Sequence, residues 1–331
     1  MQVSFIIPLF NCLALTRAML ASLQATLPPN LSYEIILVDD GSTDGTREWL
    51  VTLDQPFRVI LNERNLGYAA ANNRAAAAAT GEILFFLNND LVLQPKWFEP
   101  MLDVLKNHAD AGLIGNVQLN AATRAVDHSG IRFNHKGKPE HITSLPFWIR
   151  LAGQREVAAI TGACFATSRV HWLVLGGFDE RFINGGEDID LCLRALDRGW
   201  RNYVVTGSKV LHHISQSPGR KLRDERNTRL LVSRWQHVIL PRMLRACSWA
   251  CLLASWTEPR DYADAQLVRL AIRHLCGLSS QAPKSIVAAG QASLKLEAAR
   301  WANMLDGAPM ASEREIAWAF FPALIPPYTI L

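Results

Sequence analysis

The sequence predicts an α/β protein: a mostly parallel central sheet flanked by helices, followed by a helical C-terminal region. Within the first ~120 residues, short apolar runs alternate with segments of helical spacing, and the connections between them are short. The run at residues 83–87 is apolar throughout, which is typical of a parallel strand buried on both faces. Beyond residue 217 the spacing is mainly helical, and Pro322, Pro326 and Pro327 predict an extended end.

The elements of the first region follow from these apolar runs and from the residues that interrupt them. Pro28 and Pro29 end the first helix, and Gly81 ends the alanine-rich helix before the fourth strand. Strands are predicted at residues 3–9, 33–38, 57–61, 83–87 and 113–119. Helices are predicted at residues 13–27, 43–53 (with Ser42 or Thr43 as N-cap), 68–80 and 95–107.

The middle and the end of the chain differ from this alternation. Residues 131–143 are polar and contain glycine and proline, so an irregular hairpin or loop is predicted there. Short strands are predicted at residues 203–205 and 209–211, and helices at 222–245, 261–276 and 285–305. We therefore divide the chain into a sheet domain, residues 1–217, and a mainly helical region, residues 218–331.

Composition and cysteine usage are those of an ordinary soluble enzyme, with 49% apolar and 19% charged residues. No apolar run reaches the ~18–20 residues that a membrane-spanning helix needs, so no span is expected. No basic segment precedes the first strand, so no secretory signal is expected. The 6 cysteines form no C-x-x-C pair and are expected to be buried, reduced thiols of a cytosolic protein.

A basic block occupies residues 220–245, with eight arginines and lysines against two carboxylates. Such a block suits an anionic membrane surface or a diphosphate, although a solvated helix face accounts for most of its charges. Nucleic acid is not expected as a partner, because no nucleic-acid-binding motif accompanies the block.

Two of the predicted strands end in polar, acidic clusters: Asp39-Asp40 after the second, and Asn88-Asn89-Asp90 after the fourth. Open α/β sheets bind ligands at the carboxyl ends of their strands. Taken alone, Asn88-Asn89-Asp90 is explained equally well as a turn and as a ligand-binding cluster. Two acidic clusters at one edge repel each other, however, and usually hold a cation or a polar ligand.

A third cluster, the acidic pair Glu187-Asp188, lies at the start of a predicted helix, where it would either cap that helix or act on a substrate. A divalent cation held by Asp90 and a late imidazole could hold a diphosphate. Asp40 could accept a hydrogen bond from a base, and Asp188 could take a proton from an attacking hydroxyl. Together these residue types favour transfer of a sugar from a nucleoside diphosphate.

Six segments occur in order over roughly residues 3–217: VSFIIPLFN, ILVDDGSTDGT, NLGYAAANNRAAAAATGEILFFLNND, TGACF, LGGFDERFINGGEDIDLCLRALDRGW and VLHHISQS. In this order they resemble the motifs of the family 2 glycosyltransferases, which have the GT-A fold. Within that family the chain looks most like bacterial enzymes of surface-polysaccharide synthesis, including rhamnosyltransferase-like members.

The resemblance implies a role for each matching position on the donor side. Asp40 would bind the uracil or thymine ring, and Asp39 would lie near the same pocket. The other positions that would line the site of the nucleotide or the sugar are Pro8, Leu9, Phe10, Gly67 and Asn72.

The resemblance also implies a metal site and a catalytic pair. Asn88-Asn89-Asp90 stands in the place of the family's D-x-D motif, so that Asp90 would contact Mn2+ or Mg2+, while Asn88 and Asn89 would shape the loop or approach the donor. His212 would be the late metal ligand, with His213 as the alternative. Of the catalytic pair Glu187-Asp188, Asp188 would be the general base of an inverting reaction.

The implied enzyme uses a UDP- or dTDP-linked sugar and a hydroxyl of a glycan or a lipid-linked glycan. We expect it in the cytoplasm, with peripheral contact at the inner face of the cell membrane through the 220–245 block. A sugar-nucleotide nucleotidyltransferase is one alternative, but such an enzyme needs a glycine-rich phosphate loop after the first strand, where this chain has Leu9-Phe10-Asn11-Cys12. A non-catalytic carbohydrate-binding protein on the same fold is the other.

Aromatic and histidine residues outside these motifs carry weaker expectations. Trp148 and Trp200 would offer sugar-stacking faces, but packing in the core or in loops is favoured for both. His128, His135 and His141 lie in the polar middle segment and are expected on the surface at the acceptor side.

Overall fold

The computed structural model describes residues 2–183, 185–213, 220–257, 263–279 and 281–307, and within them it leaves the side chains of residues 220–223, 256–257 and 263–264 undescribed. The chain divides into two compact units. The first comprises Met1–Ile131 and His141–Asn227, and the second comprises Arg132–Glu140 and Thr228–Leu331.

Twelve strands are found in the described residues. They are β1 (Gln2–Leu9), β2 (Ser32–Asp39), β3 (Phe57–Leu61), β4 (Ile83–Leu87), β5 (Leu91–Leu93), β6 (Ala111–Asn120), β7 (Val126–His128), β8 (Ile131–Phe133), β9 (Pro139–His141), β10 (Gln154–Val157), β11 (Cys164–Ser168) and β12 (Arg201–His212).

Ten of these strands form one mixed sheet in the order β10-β12-β6-β11-β4-β1-β2-β3, with β5 and β7 paired to β12 and β6. The predicted parallel part is confirmed, because β1 pairs in parallel with both β2 and β4, and β2 with β3. The strands added by the second half of the first unit are antiparallel to their neighbours, apart from β12 beside β6. β8 and β9 pair separately as a hairpin.

Helices cover the sheet and make up most of the second unit. They are α1 (Leu13–Thr26), α2 (Thr46–Leu50), α3 (Tyr68–Ala78), α4 (Glu99–Asn107), α5 (Phe147–Leu151), α6 (Arg169–Leu175), α7 (Glu187–Asp197), α8 (Arg220–Thr257), α9 (Ala263–Leu275) and α10 (Lys284–Asp306). Trp235 has non-helical backbone angles, which kink α8.

The core of the first unit is built on β4, all five residues of which are buried as the unbroken apolar run predicts. Phe5 of β1 and Phe85 of β4 pack against Phe98, with ring centroids 5.0–5.9 Å apart. Burial of such aromatic side chains is worth roughly 1.5–3 kcal/mol each. This packing fixes the position of the carboxyl ends of β1 and β4, where the candidate site lies.

Three local predictions were wrong. Helix α2 begins after Gly45, not at Ser42 or Thr43, because Asp44 accepts hydrogen bonds from the amide and the hydroxyl of Thr46 and holds a turn before the helix. Helix α4 begins at Glu99, since Lys96 has a positive φ of 64°. The two predicted late strands are one strand, β12, with a shift of register between Val205 and Lys209.

The second unit contains a tight contact between the hairpin segment and α10. The side chains of Lys136 and Lys138 lie 3.6–3.8 Å from the buried carboxylate of Glu297. A side chain at Gly137 would come within 2.5 Å of Leu294, so the backbone at this position approaches α10 as only glycine permits. These contacts attach residues 132–140 to the second unit.

Two expectations about composition need correction. One helical stretch, Asp224–Ser255, is by length and composition apolar enough to cross a membrane, contrary to the expectation of none, although core helices of soluble proteins pass the same criterion. All 6 cysteines are free thiols and four are buried as expected, but Cys12 and Cys276 are exposed.

In the described part of the chain, no group of three histidine, cysteine, aspartate or glutamate side chains comes together in a way that could hold a metal ion.

Candidate active site

The candidate active site lies at one edge of the sheet, where three parallel strands end. Leu9, at the end of β1, is in register with Asp39 at the end of β2. The amide of Asp40 donates to the carbonyl of Leu9 at 2.8 Å, and β4 ends two strands away at Leu87. The two predicted acidic clusters therefore lie at the same edge, as parallel pairing requires.

The Asn88-Asn89-Asp90 turn is held in place from both sides. The amide of Asn88 donates to the carbonyl of Ala163 at 2.8 Å. The side-chain amide of Asn89 donates to the Thr16 hydroxyl at 3.0 Å and to the Asn11 carbonyl at 3.3 Å. Asn89 therefore fixes the loop between β1 and α1 against the end of β4, which is the loop-shaping role expected for it.

Asp90 and His212 face each other, although they come from distant parts of the sequence. Antiparallel pairing of β5 with β12 sets His212 opposite Leu91, and the amide of His213 donates to the Asp90 carbonyl at 3.0 Å. His212 Nε2 then lies 3.3 Å from Asp90 Oδ1. His213, the alternative ligand, is exposed and is attached to Asp90 through its backbone.

The residues at this position fit a divalent cation. Asp90 Oδ1 and Asn88 Oδ1 are buried and accept no hydrogen bond from the described residues, and His212 Nε2 lies 3.3 Å from Asp90 Oδ1. Ligands at adjacent positions of an octahedron with bonds of ~2.1 Å lie about 3 Å apart, which is close to the separation of Asp90 and His212. Two protein ligands leave the other positions for water and phosphate oxygens.

Asp40 is buried and accepts three hydrogen bonds from its own chain. The donors are the side-chain amide of Asn62 at 2.7 Å and the backbone amides of Leu66 and Gly67, both at 2.9 Å. The carboxylate therefore organises the turn that leads into α3. A carboxylate offers about four acceptor positions, so one remains for a ligand.

Asp39 and the loop after β1 form the adjacent wall. Asp39 is fully buried and pairs with Arg47 at 3.0 Å, while its other oxygen accepts from the Ser42 amide at 3.1 Å. The Ser42 hydroxyl accepts from the amide of Asn11, which has a positive φ of 57°. This loop begins after Leu9, next to the half-buried Pro8 of β1, and carries Phe10 with 49% of its surface exposed.

Gly67 and Asn72 lie at the start of α3. Gly67 precedes the helix with a positive φ of 92°, and nothing lies within 4 Å of the position that a Cβ atom would take. Asn72 is buried and donates to the Tyr68 carbonyl at 2.9 Å. Its Oδ1 atom has no hydrogen-bond partner within the ranges that the structure describes.

Asp188, the predicted base, is fixed by backbone amides at both of its oxygens. Oδ2 accepts from Gly162 at 2.7 Å and Oδ1 accepts from Ile189 at 2.8 Å. Burial raises the pKa of Asp188, against the opposing effect of these two hydrogen bonds. A half-buried carboxylate with a raised pKa is a typical general base.

Glu187 is directed elsewhere. Its side chain is buried, and Oε2 accepts from the amide of Gly185 at 2.8 Å. This bond holds the glycine turn before α7, which is a structural role, while Asp188 lies next to the Thr161-Gly162 segment.

Tyr68 joins the helix α3 to this segment and was not singled out from the sequence. Its hydroxyl donates to the carbonyl of Gly162 at 2.7 Å, so Gly162 is held by Tyr68 at its carbonyl and by Asp188 at its amide. Burial raises the pKa of Tyr68 well above its usual value, and the charges of Glu187, Asp188 and Asp90 raise it further. The phenol therefore stays protonated and serves as a donor.

The middle-segment histidines differ from one another in their surroundings. His128 is buried, contrary to the surface position expected, and its Nε2 faces the amides of Gly130 at 3.2 Å and Thr161 at 3.4 Å. Burial lowers the pKa of His128 well below its usual value.

His141 is exposed as expected, with its ring 5.0 Å from that of His128, and its charge acts to lower the pKa of Asp188. His135 is half-buried and belongs to the second unit.

Trp200 and Trp148 differ in their surroundings. Trp200 stacks on His171 with ring centroids 3.9 Å apart, which confirms packing for Trp200. Trp148 lies on α5 with 72% of its surface exposed, so the packing favoured for it was wrong.

The chain was compared with protein families and with solved structures. The family model "Glycosyl transferase family 2" matches residues 4–170, half of the 331-residue chain. The matched range contains every candidate residue of β1 to β4 and the Thr161-Gly162 segment, and it ends before Asp188 and His212.

Two bacterial relatives match beyond that range. The O-antigen biosynthesis protein RfbC of Myxococcus xanthus is 33% identical over 242 residues, 65% of this chain and 18% of the relative. N-acetylglucosaminyl-diphospho-decaprenol L-rhamnosyltransferase of Mycobacterium tuberculosis is 29% identical over 231 residues, 61% of this chain and 72% of the relative. The chain thus spans about a fifth of the first protein and most of the second.

A solved structure shares the fold. The crystal structure of GalNAc-T7 with UDP, GalNAc and Mn2+ superposes with a TM-score of 0.59 at 19% identity, covering 70% of this chain and 47% of that one. The predicted GT-A fold is thereby confirmed.

Proposed function

The chain belongs to glycosyl transferase family 2, and we propose that it transfers a sugar from a UDP- or dTDP-linked donor to a hydroxyl of a glycan or lipid-linked glycan, with inversion at the anomeric carbon. Asp188 is the general base in this proposal, and a divalent metal binds at Asp90. The reaction belongs to bacterial surface-polysaccharide synthesis, a role supported by the names of the two bacterial relatives.

The position of Asp188 is the observation that carries the proposal. Both of its oxygens are oriented by backbone amides, and its pKa is raised by burial. A base of this kind binds a proton more strongly than an exposed carboxylate does, yet still ionises. Its location beside Gly162 and Tyr68 puts the proton acceptor near the acidic sheet edge that would hold the donor.

The chemical step is a single displacement. The acceptor oxygen forms a bond to the anomeric carbon, while the bond from that carbon to the diphosphate oxygen breaks with its electron pair leaving on the nucleoside diphosphate. The proton of the acceptor hydroxyl passes to Asp188. Attack on the face opposite the leaving diphosphate inverts the configuration.

The donor end of the site is assigned to the acidic sheet edge. The remaining acceptor position of Asp40 would take the N–H of a uracil or thymine ring, with Asp39 and Arg47 behind it. Donor-binding residues in this assignment are Pro8, Phe10, Asp39, Asp40, Gly67, Asn72, Asn88 and Asn89.

Asp90 and His212 would hold the metal, for which Mn2+ or Mg2+ is proposed. When bound, the metal supplies electrostatic stabilisation of charge on the leaving diphosphate. The support from this chain is the buried Asp90 Oδ1 atom, which accepts no hydrogen bond from the described residues and lies 3.3 Å from His212 Nε2.

The acceptor is proposed to be lipid-linked, since one relative is named for a sugar carried on diphospho-decaprenol. An enzyme with such an acceptor works at a membrane surface, here proposed to be the inner face of the cell membrane. The nucleotidyltransferase alternative has no support from the family match. The non-catalytic alternative predicts no turnover of any donor, so a turnover assay distinguishes it from the proposed enzyme.

The test is release of nucleoside diphosphate from UDP- and dTDP-sugars by the purified chain, with Mn2+ and with a chelator. We expect metal-dependent release with at least one donor. Absence of turnover with every donor, in the presence of lipid-linked acceptor, would contradict the proposal.

A further inference from the structure

The second unit has an exposed helix face that is both basic and apolar. Arg245, Trp249 and Leu253 follow one another at four-residue intervals along α8, so they lie on one side of the helix. Trp249 and Leu253 have 52% and 54% of their surfaces exposed. An indole and a leucine in neighbouring turns form an apolar stripe that directly follows an exposed arginine.

Helix α9 lies beside this stripe. Ser248, next to Trp249, contacts His274 with Oγ and Nδ1 2.8 Å apart, and the Arg245 guanidinium donates to the Leu275 carbonyl at 2.8 Å. The C-terminal part of α9 and the turn after it add exposed Ile272 and Leu278, 45% and 69% exposed. We call the exposed residues of these two neighbouring helices and the following turn the α8–α9 face: Arg242, Arg245, Trp249, Leu253, Arg269, Ile272, Arg273 and Leu278.

The apolar residues of this face are not needed for the core of the unit. The opposite side of α8 already supplies buried side chains, including Ile239, Met243 and Cys247. A helix that covers a soluble core is usually polar on its other side. After its kink at Trp235, helix α8 instead exposes Trp249 and Leu253 beside its arginines. The stretch Asp224–Ser255 also passes the composition criterion for a membrane helix.

All the charged residues of the α8–α9 face are arginines, so its charge is positive. Residues 228–257 contain four arginines and no aspartate or glutamate, and residues 263–279 contain two arginines and the single acid Asp264. Juxtaposed arginine, tryptophan and leucine suit the headgroup region of an anionic bilayer, where indole rings favour the interface and each basic residue adds attraction.

We propose that the α8–α9 face binds the surface of an anionic lipid bilayer. The proposal rests on the proposed function in one respect, that a lipid-linked acceptor is presented at such a surface. It shares Arg242 and Arg245 with the membrane contact predicted through residues 220–245, but its apolar residues and its other arginines lie outside that block. Within that block, Trp235 interrupts α8, and Arg229 pairs with Asp306 at 2.6 Å, so the block is not one continuous basic face.

The test is co-sedimentation of the full chain with vesicles of phosphatidylglycerol and phosphatidylcholine, without donor or acceptor. We expect binding to phosphatidylglycerol-rich vesicles, little binding to pure phosphatidylcholine, and release by about 0.5 M salt, because salt screens exposed charges. Arg269→Glu/Arg273→Glu and Trp249→Ala/Leu253→Ala are each expected to weaken binding about tenfold or more, with unchanged thermal unfolding.

The matched controls lie on helices of the first unit. Lys106→Glu removes an exposed charge on α4, and Leu173→Ala removes an apolar side chain of α6 that is 62% exposed. Neither should change vesicle binding. Equal binding of both face variants and the parent chain would overturn the proposal, as would equal binding to both lipids or binding that resists salt and alkaline washing. Vesicle binding without glycosyl transfer would contradict the proposed function but would support the membrane-binding role of the α8–α9 face.

Discussion

The imidazole of His212 lies 3.3 Å from the carboxylate of Asp90, because β5 pairs with β12 and places the two residues at the same corner of the sheet. Asp90 Oδ1 is buried and accepts no hydrogen bond from the described residues. Leaving a buried carboxylate oxygen without a donor costs roughly 1–3 kcal/mol or more. A bound cation would offset that cost, which makes this pair the protein's share of the proposed metal site.

Removing either member of this pair should therefore remove metal-dependent nucleotide binding. For Asp90→Ala and His212→Ala we expect calorimetry with UDP and Mn2+ to show affinity reduced to the metal-free value, since the lost ligand is the direct contact. Asp103→Ala, at an exposed position on α4, is the control and should bind as the parent does. A parent-like dissociation constant for Asp90→Ala would rule out the metal assignment.

Asp40→Asn should lower stability as well as nucleotide binding. The carboxylate accepts from Asn62, Leu66 and Gly67, and an asparagine would turn one acceptor oxygen into a donor that faces an N–H group. We expect the free energy of unfolding to fall by about 1–3 kcal/mol. Asp54→Asn, at an exposed position, should change it by less than about 0.5 kcal/mol. Denaturant titration decides, and equal stabilities for the two variants would contradict the role given to Asp40.

Tyr68→Phe tests whether the Gly162 peptide positions Asp188. The variant loses the hydrogen bond to the Gly162 carbonyl, worth about 1 kcal/mol of stability, and keeps the aromatic packing against Phe178. We expect kcat to fall about tenfold with KM for the donor little changed, since the loss is on the base rather than on the nucleotide. Tyr33→Phe is the matched control. A Tyr68→Phe enzyme with parent-like kcat would show that this bond is only structural.

The pH dependence follows from the raised pKa of Asp188. Burial raises that pKa, and the base works only when ionised, so kcat/KM should fall as the pH drops through a value above that of an ordinary aspartate. The charge of His141 opposes this shift. His141→Ala should therefore move the acidic limb of the pH profile to higher pH. A shift to lower pH, or none, would mean that His141 does not act on Asp188.

The parts of the fold that depend on local pattern could be predicted from the sequence. The uniformly apolar 83–87 run identified β4, and Pro28, Pro29 and Gly81 marked the ends of helices. The antiparallel strands could not be placed, because β11 sits between β4 and β6 through pairing of residues distant in sequence. Nor could the attachment of residues 132–140 to α10 be anticipated, since it depends on a close approach at Gly137.

The candidate site shows the same division. Asp39, Asp40 and Asp90 could be assigned to one edge because parallel strands share a direction. The partners of these side chains could not: Asn62 and Tyr68 act through contacts made by folding, and neither residue type is diagnostic in its sequence context. Burial of His128, which follows from the pairing of β7 with β6, was hidden by the polar character of the segment around it.

The most direct test of the central claim is donor turnover by Asp188→Asn. With a lipid-linked acceptor and Mn2+, nucleoside diphosphate release should fall about 10²–10⁴-fold relative to the parent, because the side chain keeps its size but can no longer take the proton. Donor binding, measured by calorimetry, should be unchanged. Release by Asp188→Asn at the parent's rate would contradict the assignment of Asp188 as the general base.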